Sequence, residues 1–169
     1  ADLLDGYTVA VYSASPDVEI AAELFHHATG VPVVIIPKET AHREMLSWHG
    51  RARISVGLSI SDAISTSLLE ALVMGAFPIQ SWTACADEWI TDGTNGFLVP
   101  PEDPDVIEKA LRRALADDEL VNTAAHYNLR LAQERLDQHQ LRQMAVIFYQ
   151  TAGKHRDNVE QGGAHETTG

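Results

Sequence analysis

Between Thr8 and Val99 short β-branched runs alternate with amphipathic stretches, a pattern that restricts the chain to parallel strands with helices packed on both faces of the sheet. Thr8-Val9-Ala10-Val11-Tyr12 is the first strand. Ser15-Pro16-Asp17 then supplies an N-cap, a first-turn proline and an acid that complements the helix dipole. Ile20, Ala21, Leu24, Phe25 and Ala28 share one face of that helix up to a stop at Gly30. Val31 to Ile36 reads as a buried strand with Pro32 near its start, where a missing donor is tolerated. After the loop Pro37-Lys38-Glu39, Thr40 is expected to cap a helix carrying Met45, Leu46 and Trp48 and ending at Gly50. Arg53 to Leu58 is a third strand, and residues 59–65 form a polar loop.

The helix from Leu68 to Met74 stops at Gly75, and Phe77-Pro78-Ile79-Gln80 follows as a short strand whose proline points to an edge or terminal position. Ala86 to Ile90 is a short helical piece, Asp92-Gly93 and Asn95-Gly96 are turns, and Phe97-Leu98-Val99 is the last strand. Asp103-Pro104-Asp105 starts a helix with cap, proline and acid in order, and two further helices carry Leu120 to Leu136 and Leu141 to Tyr149. This gives one α/β domain over residues 1–152 and a polar C-terminal tail over 153–169.

The net charge of −12 argues against nucleic acid as a partner, because that affinity comes from clustered Lys and Arg displacing counterions, and no basic stripe exists. A mononucleotide stays compatible, since helix N-terminal N–H groups hold a diphosphate without many cations. The single cysteine, Cys85, excludes an intrachain disulfide and fits a reducing, cytoplasmic setting. No apolar run reaches the roughly 20 residues of a spanning helix, and Ala1-Asp2-Leu3-Leu4-Asp5 lacks a signal-peptide profile.

Open parallel sheets bind ligands beyond the carboxyl ends of their strands, which directs attention to the segment after Leu58. It carries Asp62-Ala63-Ile64-Ser65-Thr66-Ser67-Leu68-Leu69-Glu70, a hydroxyl-rich loop entering a helix, with a carboxylate on each side. The unpaired N–H groups near Thr66 to Leu68 are placed to cradle a diphosphate.

Asp62, seven intervening residues, Glu70-Ala71-Leu72, Gly75-Ala76-Phe77-Pro78-Ile79, Glu88-Trp89-Ile90, Asp92-Gly93-Thr94-Asn95-Gly96-Phe97-Leu98-Val99-Pro100 and Asp103-Pro104 follow one another in order. This series resembles the C-terminal, donor-binding domain of family 4 glycosyltransferases. The resemblance implies a Rossmann-like domain forming one half of a GT-B fold. It also implies a retaining, metal-independent glycosyl transfer from a UDP- or GDP-linked sugar to an acceptor such as a glycan or polysaccharide precursor, with no cofactor. The acceptor would sit on an N-terminal domain absent from this chain, leaving the chain itself an incomplete and inactive fragment, at the inner face of a membrane if that half binds one.

By the same resemblance Asp62 and Glu70 are the paired catalytic carboxylates, Asp62 toward the transferred sugar and Glu70 on the ribose. The hydroxyl and amide groups of Thr66, Ser67 and Leu68 would meet the diphosphate and the backbone near Lys38 and Glu39 the base, with Ile64 and Ser65 also donor-binding and Glu88 near the donor pocket. Two departures stand out: Asp62 is one methylene shorter than the usual Glu, and Ala63 replaces a common Gly. The Arg and Lys that neutralise the diphosphate in the family also have no counterpart, since no cation precedes Lys38.

Other readings of the same residues stay open on the sequence. Ser67-Leu68-Leu69-Glu70 fits a capping box, Asp62 fits a solvated loop acid, and Asp87-Glu88 fits a helix-dipole pair. Gly75, Gly93 and Gly96 read as turn or stop positions with positive φ, the histidines as surface residues, the tryptophans as core or pocket wall, and Cys85 as a buried thiol. A non-catalytic nucleotide-sugar-binding module and the half of a GT-B epimerase are the alternatives in function.

Overall fold

The computed structural model describes residues 2–83 and 85–162, with residues 2 and 152–162 as backbone only. The element order is β1 (Val9–Tyr12), α1 (Pro16–Thr29), β2 (Val33–Ile36), α2 (His42–Arg51), β3 (Ile54–Gly57), α3 (Thr66–Met74), β4 (Phe77–Ser81), β5 (Phe97–Val99), α4 (Pro104–Ala116), α5 (Asp118–Leu136) and α6 (Gln138–Gly162). All pairings are parallel, with β1 beside β2 and a separate ladder in the order β3-β4-β5.

The chain divides into two compact units, residues 1–129 and 130–169. In the second, helix runs to Gly162 through Gly153, so the polar stretch expected as a tail is carried as helix to that point; residues 163–169 lie outside the described residues.

In the first unit two apolar clusters cover the three-stranded ladder. Phe77, Ile79, Phe97 and Val99 pack with Ala114, Val121 and Ala124 of α4 and α5. Leu68 and Leu72 of α3 pack with Ala86 and Ile90 in the other cluster. Phe77 and Phe97 meet edge to face with centroids 5.0 Å apart, an arrangement that adds to simple area burial.

The helix signals hold at the stops of α1 and α3 and at the start of α4. Gly30 and Gly75 occupy left-handed stops, and Asp103 accepts hydrogen bonds from the Asp105 and Val106 amides at 3.1 Å. Three local expectations are corrected. Ala41, not Thr40, is the N-cap of α2, and the helix continues through Gly50 to Arg51. A Cβ at Gly50 would stand 2.8 Å from Met74 Cε, the far end of a flexible side chain that can turn aside.

Pro78 lies in β4, the centre of its ladder and buried at all five positions, not at an edge. The register explains the tolerance. The Phe77 N–H bonds the Arg53 carbonyl on the β3 side, which turns residue 78 toward β5, and β5 begins opposite Ile79. Gly96 lacks a positive φ, unlike Gly93; a Cβ there would sit 2.9 Å from the Pro78 carbonyl oxygen.

Candidate functional site

The segments singled out by sequence all leave the carboxyl ends of strands. Lys38 and Glu39 are exposed in a turn after β2, closed by the Thr40 N–H on the Pro37 carbonyl at 3.1 Å. Asp62 is exposed in the loop after β3. That loop is anchored at its root, where the Ser81 and Thr83 hydroxyls both donate to the Ser59 carbonyl, the latter at 2.7 Å. Glu88 is exposed in the 3-10 turn Ala86–Glu88 beyond β4. Ser13 and Cys85, the two non-glycine residues with left-handed backbone among those described, sit just after β1 and β4 on the same margin. Such strained positions persist where surrounding structure fixes them, often beside ligands.

Helix α3 starts at Thr66 with Ser65 as N-cap, whose side chain makes no capping bond. Ile64 and Ser65 are half-buried on the approach. The Leu68 N–H returns to the Ser65 carbonyl at 3.1 Å and the Leu68 side chain lies fully in the core. The amides offered outward are therefore those of Thr66 and Ser67, one residue shorter than the stretch expected.

Ser67 is inside the helix, and Glu70 does not reach back to it. The Glu70 carboxylate instead faces α2, where His42 Nε2 lies 2.8 Å from Oε1 and His49 Nε2 lies 3.6 Å from Oε2. The capping-box reading is thereby removed. A carboxylate offers about four lone-pair sites, so two histidine neighbours leave room for a vicinal diol. Among the described residues no hydrogen bond or ion pair joins Asp62, Lys38 or Glu39 to Glu70.

The histidine pair is what the sequence reading missed. His49 is 4% exposed, its ring edge-on to Tyr12 of β1 with centroids 5.9 Å apart, and its Nε2 has no hydrogen-bond partner. The available signal was spacing: positions 42 and 49 are two helical turns apart and share a face. Cys85, expected as a buried thiol, is exposed, and Trp82, expected in the core or a pocket wall, lies outside the core. No group of three or more His, Cys, Asp or Glu among the described residues is disposed to hold a metal ion.

Residues 23–130, well over half of the chain, match the model of a family described as glycosyl transferases group 1. The chain belongs to that family. Among solved structures, this group 1 transferase chain is similar to the C-terminal domain of the group 1 protein LpcC from Francisella tularensis. That match has 23% identity and a TM-score of 0.68, covering 77% of this chain and 70% of that one. It is similar to sucrose-phosphate synthase of Thermosynechococcus elongatus at 18% identity and TM-score 0.72, covering 88% of this chain and 39% of that one. It is also similar to Anabaena HepE, solved with UDP-glucose, at 16% identity and TM-score 0.70, covering 89% and 43%. The chain thus spans about two-fifths of the two longer proteins, and the fold is the Rossmann-like half of a GT-B enzyme. No curated protein sequence matches it. Among the described residues no helix is long and apolar enough to cross a membrane.

Burial pushes the His49 pKa below its ordinary 6.5, against the upward pull of Glu70. The unfolded chain then binds a proton that the native state refuses, so stability falls as pH drops through about 6.5 and levels off below the folded value. Melting curves between about pH 8 and 5 are expected to show this slope in the native chain and a flatter one in His49→Phe, which keeps a ring of similar size without the titration. Parallel slopes for the two proteins would show that His49 does not titrate against the fold.

Proposed function

We propose that this chain binds the nucleotide-sugar donor of a retaining, metal-independent glycosyltransferase and that the acceptor is held by a separate N-terminal domain. The observation that carries the reading is the orientation of Glu70. Its carboxylate leaves the helix on the side of α2, supported by His42, one turn along from the outward amides of Thr66 and Ser67. A nucleoside diphosphate spans such a pair of features, with phosphate oxygens on the helix N-terminus and ribose hydroxyls on the carboxylate. The family membership and the UDP-glucose bound to HepE support the same ligand class.

In this reading the Thr66 and Ser67 amides stabilise the charge that builds on the departing diphosphate as the sugar leaves, and Asp62 stands toward the sugar. Lys38 and Glu39 would border the base, and Glu88 the outer pocket. Donor and acceptor must be held together for transfer, because proximity supplies a large part of the rate, so the 169-residue chain alone should not turn over.

Amide chemical shifts recorded during titration with UDP and GDP test the proposal. The Thr66 and Ser67 signals should move saturably with one of the two, unchanged by added chelator. Shifts that vanish in chelator and return with magnesium, or no movement at millimolar nucleotide, would overturn it.

A further inference from the structure

The Glu70 carboxylate stands between two imidazoles of α2, one beside each oxygen. His42 Nε2 lies 2.8 Å from Oε1, within charge-assisted hydrogen-bond range, whereas His49 Nε2 lies 3.6 Å from Oε2, outside it. His42 is on the surface and His49 is buried, and the His49 Nε2 atom has no hydrogen-bond partner. Buried polar atoms are normally satisfied, so an orphan nitrogen beside a carboxylate is an interaction left open in the ligand-free chain.

A ligand reaches this nitrogen only through Glu70. The His49 ring is covered and lies edge-on to Tyr12, while the Glu70 side chain keeps 18% of its surface open. Burial holds the imidazole neutral, so a single ring nitrogen carries the proton, and a negative neighbour favours the tautomer with that proton on Nε2. The terminal torsion of a glutamate is broad, so an oxygen anchored on His42 alone leaves the carboxylate plane free to swing. A donor on each oxygen fixes it.

We propose that His49 is a positioning residue for the donor's ribose: its Nε2–H closes onto Glu70 Oε2 when the 2′- and 3′-hydroxyls occupy the carboxylate. The inference rests on the reading of Glu70 as the ribose ligand. Bringing 3.6 Å into hydrogen-bond range takes a movement of roughly 0.6–0.8 Å. Two hydroxyl donors already restrict the carboxylate plane, so less conformational entropy is left to lose when the His49 contact closes. The contact that is open without ligand is therefore favoured with it, and His49 adds affinity for the diol alone. It acts through Glu70 and takes no part in the bond that breaks.

The test is calorimetric titration of the 169-residue chain with UDP and GDP, each beside its 2′,3′-dideoxy form, which lacks the diol. In the native chain loss of the diol should weaken binding, and Glu70→Gln should remove most of that penalty. His49→Phe keeps a ring without the donor, and should shrink the penalty by about 3- to 10-fold with the dideoxy affinity unchanged. His49→Gln, which returns an N–H donor, should restore most of it. A merely structural role would instead weaken both forms equally, and that result overturns the proposal. A penalty lost in Glu70→Gln but kept in His49→Phe also overturns it while leaving the ribose reading intact, whereas no penalty in the native chain overturns both. Should His49→Phe fail to fold, the ring-nitrogen spectrum of the native chain decides. It should report an Nε2–H tautomer whose signal moves saturably with UDP or GDP and not with the dideoxy form. An Nδ1–H tautomer, which leaves a lone pair facing the carboxylate, overturns the proposal.

Discussion

Asn128→Ala is expected to lower the unfolding free energy of the domain by about 2–4 kcal/mol, because it leaves two buried polar groups without partners. Asn95 and Asn128 are both fully buried, and every polar atom they carry is engaged. Asn95 Nδ2 donates to Asn128 Oδ1 at 2.7 Å and to the Trp89 carbonyl at 2.9 Å, while its Oδ1 accepts from the Thr91 N–H at 2.7 Å. Asn128 Nδ2 closes the loop on the Asn95 carbonyl at 2.9 Å. Alanine at 128 orphans one Asn95 N–H and the Asn95 carbonyl in surroundings where water cannot substitute. At roughly 2–4 °C per kcal/mol for a domain of this size, the melting temperature should fall by about 5–15 °C. Urea unfolding with an unchanged m-value is the check, and a loss below about 1 kcal/mol would show that the network is not a structural clamp. The network also fixes the segment from Trp89 to Thr91, directly after Glu88, so a softened clamp should loosen that side of the site as well.

The alternation of strands and helices was legible because it is carried by local signals: period, caps and stops. Gly30 and Gly75 must be left-handed at their helix ends, and Asp103-Pro104-Asp105 can do little except open a helix. What escaped depends on partners distant in sequence. Pro78 looks like an edge residue until the register shows β5 starting one residue later. Asn95 looks like half of an Asn-Gly turn until Asn128 arrives from α5. His49 carries a polar ring into the space between Tyr12 and Glu70, and neither neighbour is visible from its own helix. At the site, the motif located Glu70 but left its direction open between capping and binding, and the contact with His42 of α2 removes only the capping alternative. The break between β1 and β3 had no sequence signature, since each strand reads as buried and parallel on its own terms.

Glu70→Gln is the substitution with the largest expected effect on ligand affinity. Glutamine keeps the size and one acceptor oxygen while removing the charge that strengthens bonds from two ribose hydroxyls. The loss should be about 1–3 kcal/mol, roughly 5- to 150-fold in Kd. Without ligand the cost should stay below about 1 kcal/mol, because the partner lost is chiefly His42, whose side chain is 72% exposed, and solvent-exposed pairs contribute little. Binding and stability are thus expected to respond in opposite proportion, which a purely structural carboxylate would not do.

Calorimetric titration of the native chain and Glu70→Gln with UDP and GDP, beside ligand-free melting curves of both, separates these roles most directly. A ribose-binding Glu70 predicts a Kd raised at least about fivefold with a melting temperature lowered by no more than a few degrees. Equal affinities with a clearly lowered melting temperature would contradict it, and would leave Glu70 as a tie between α3 and α2.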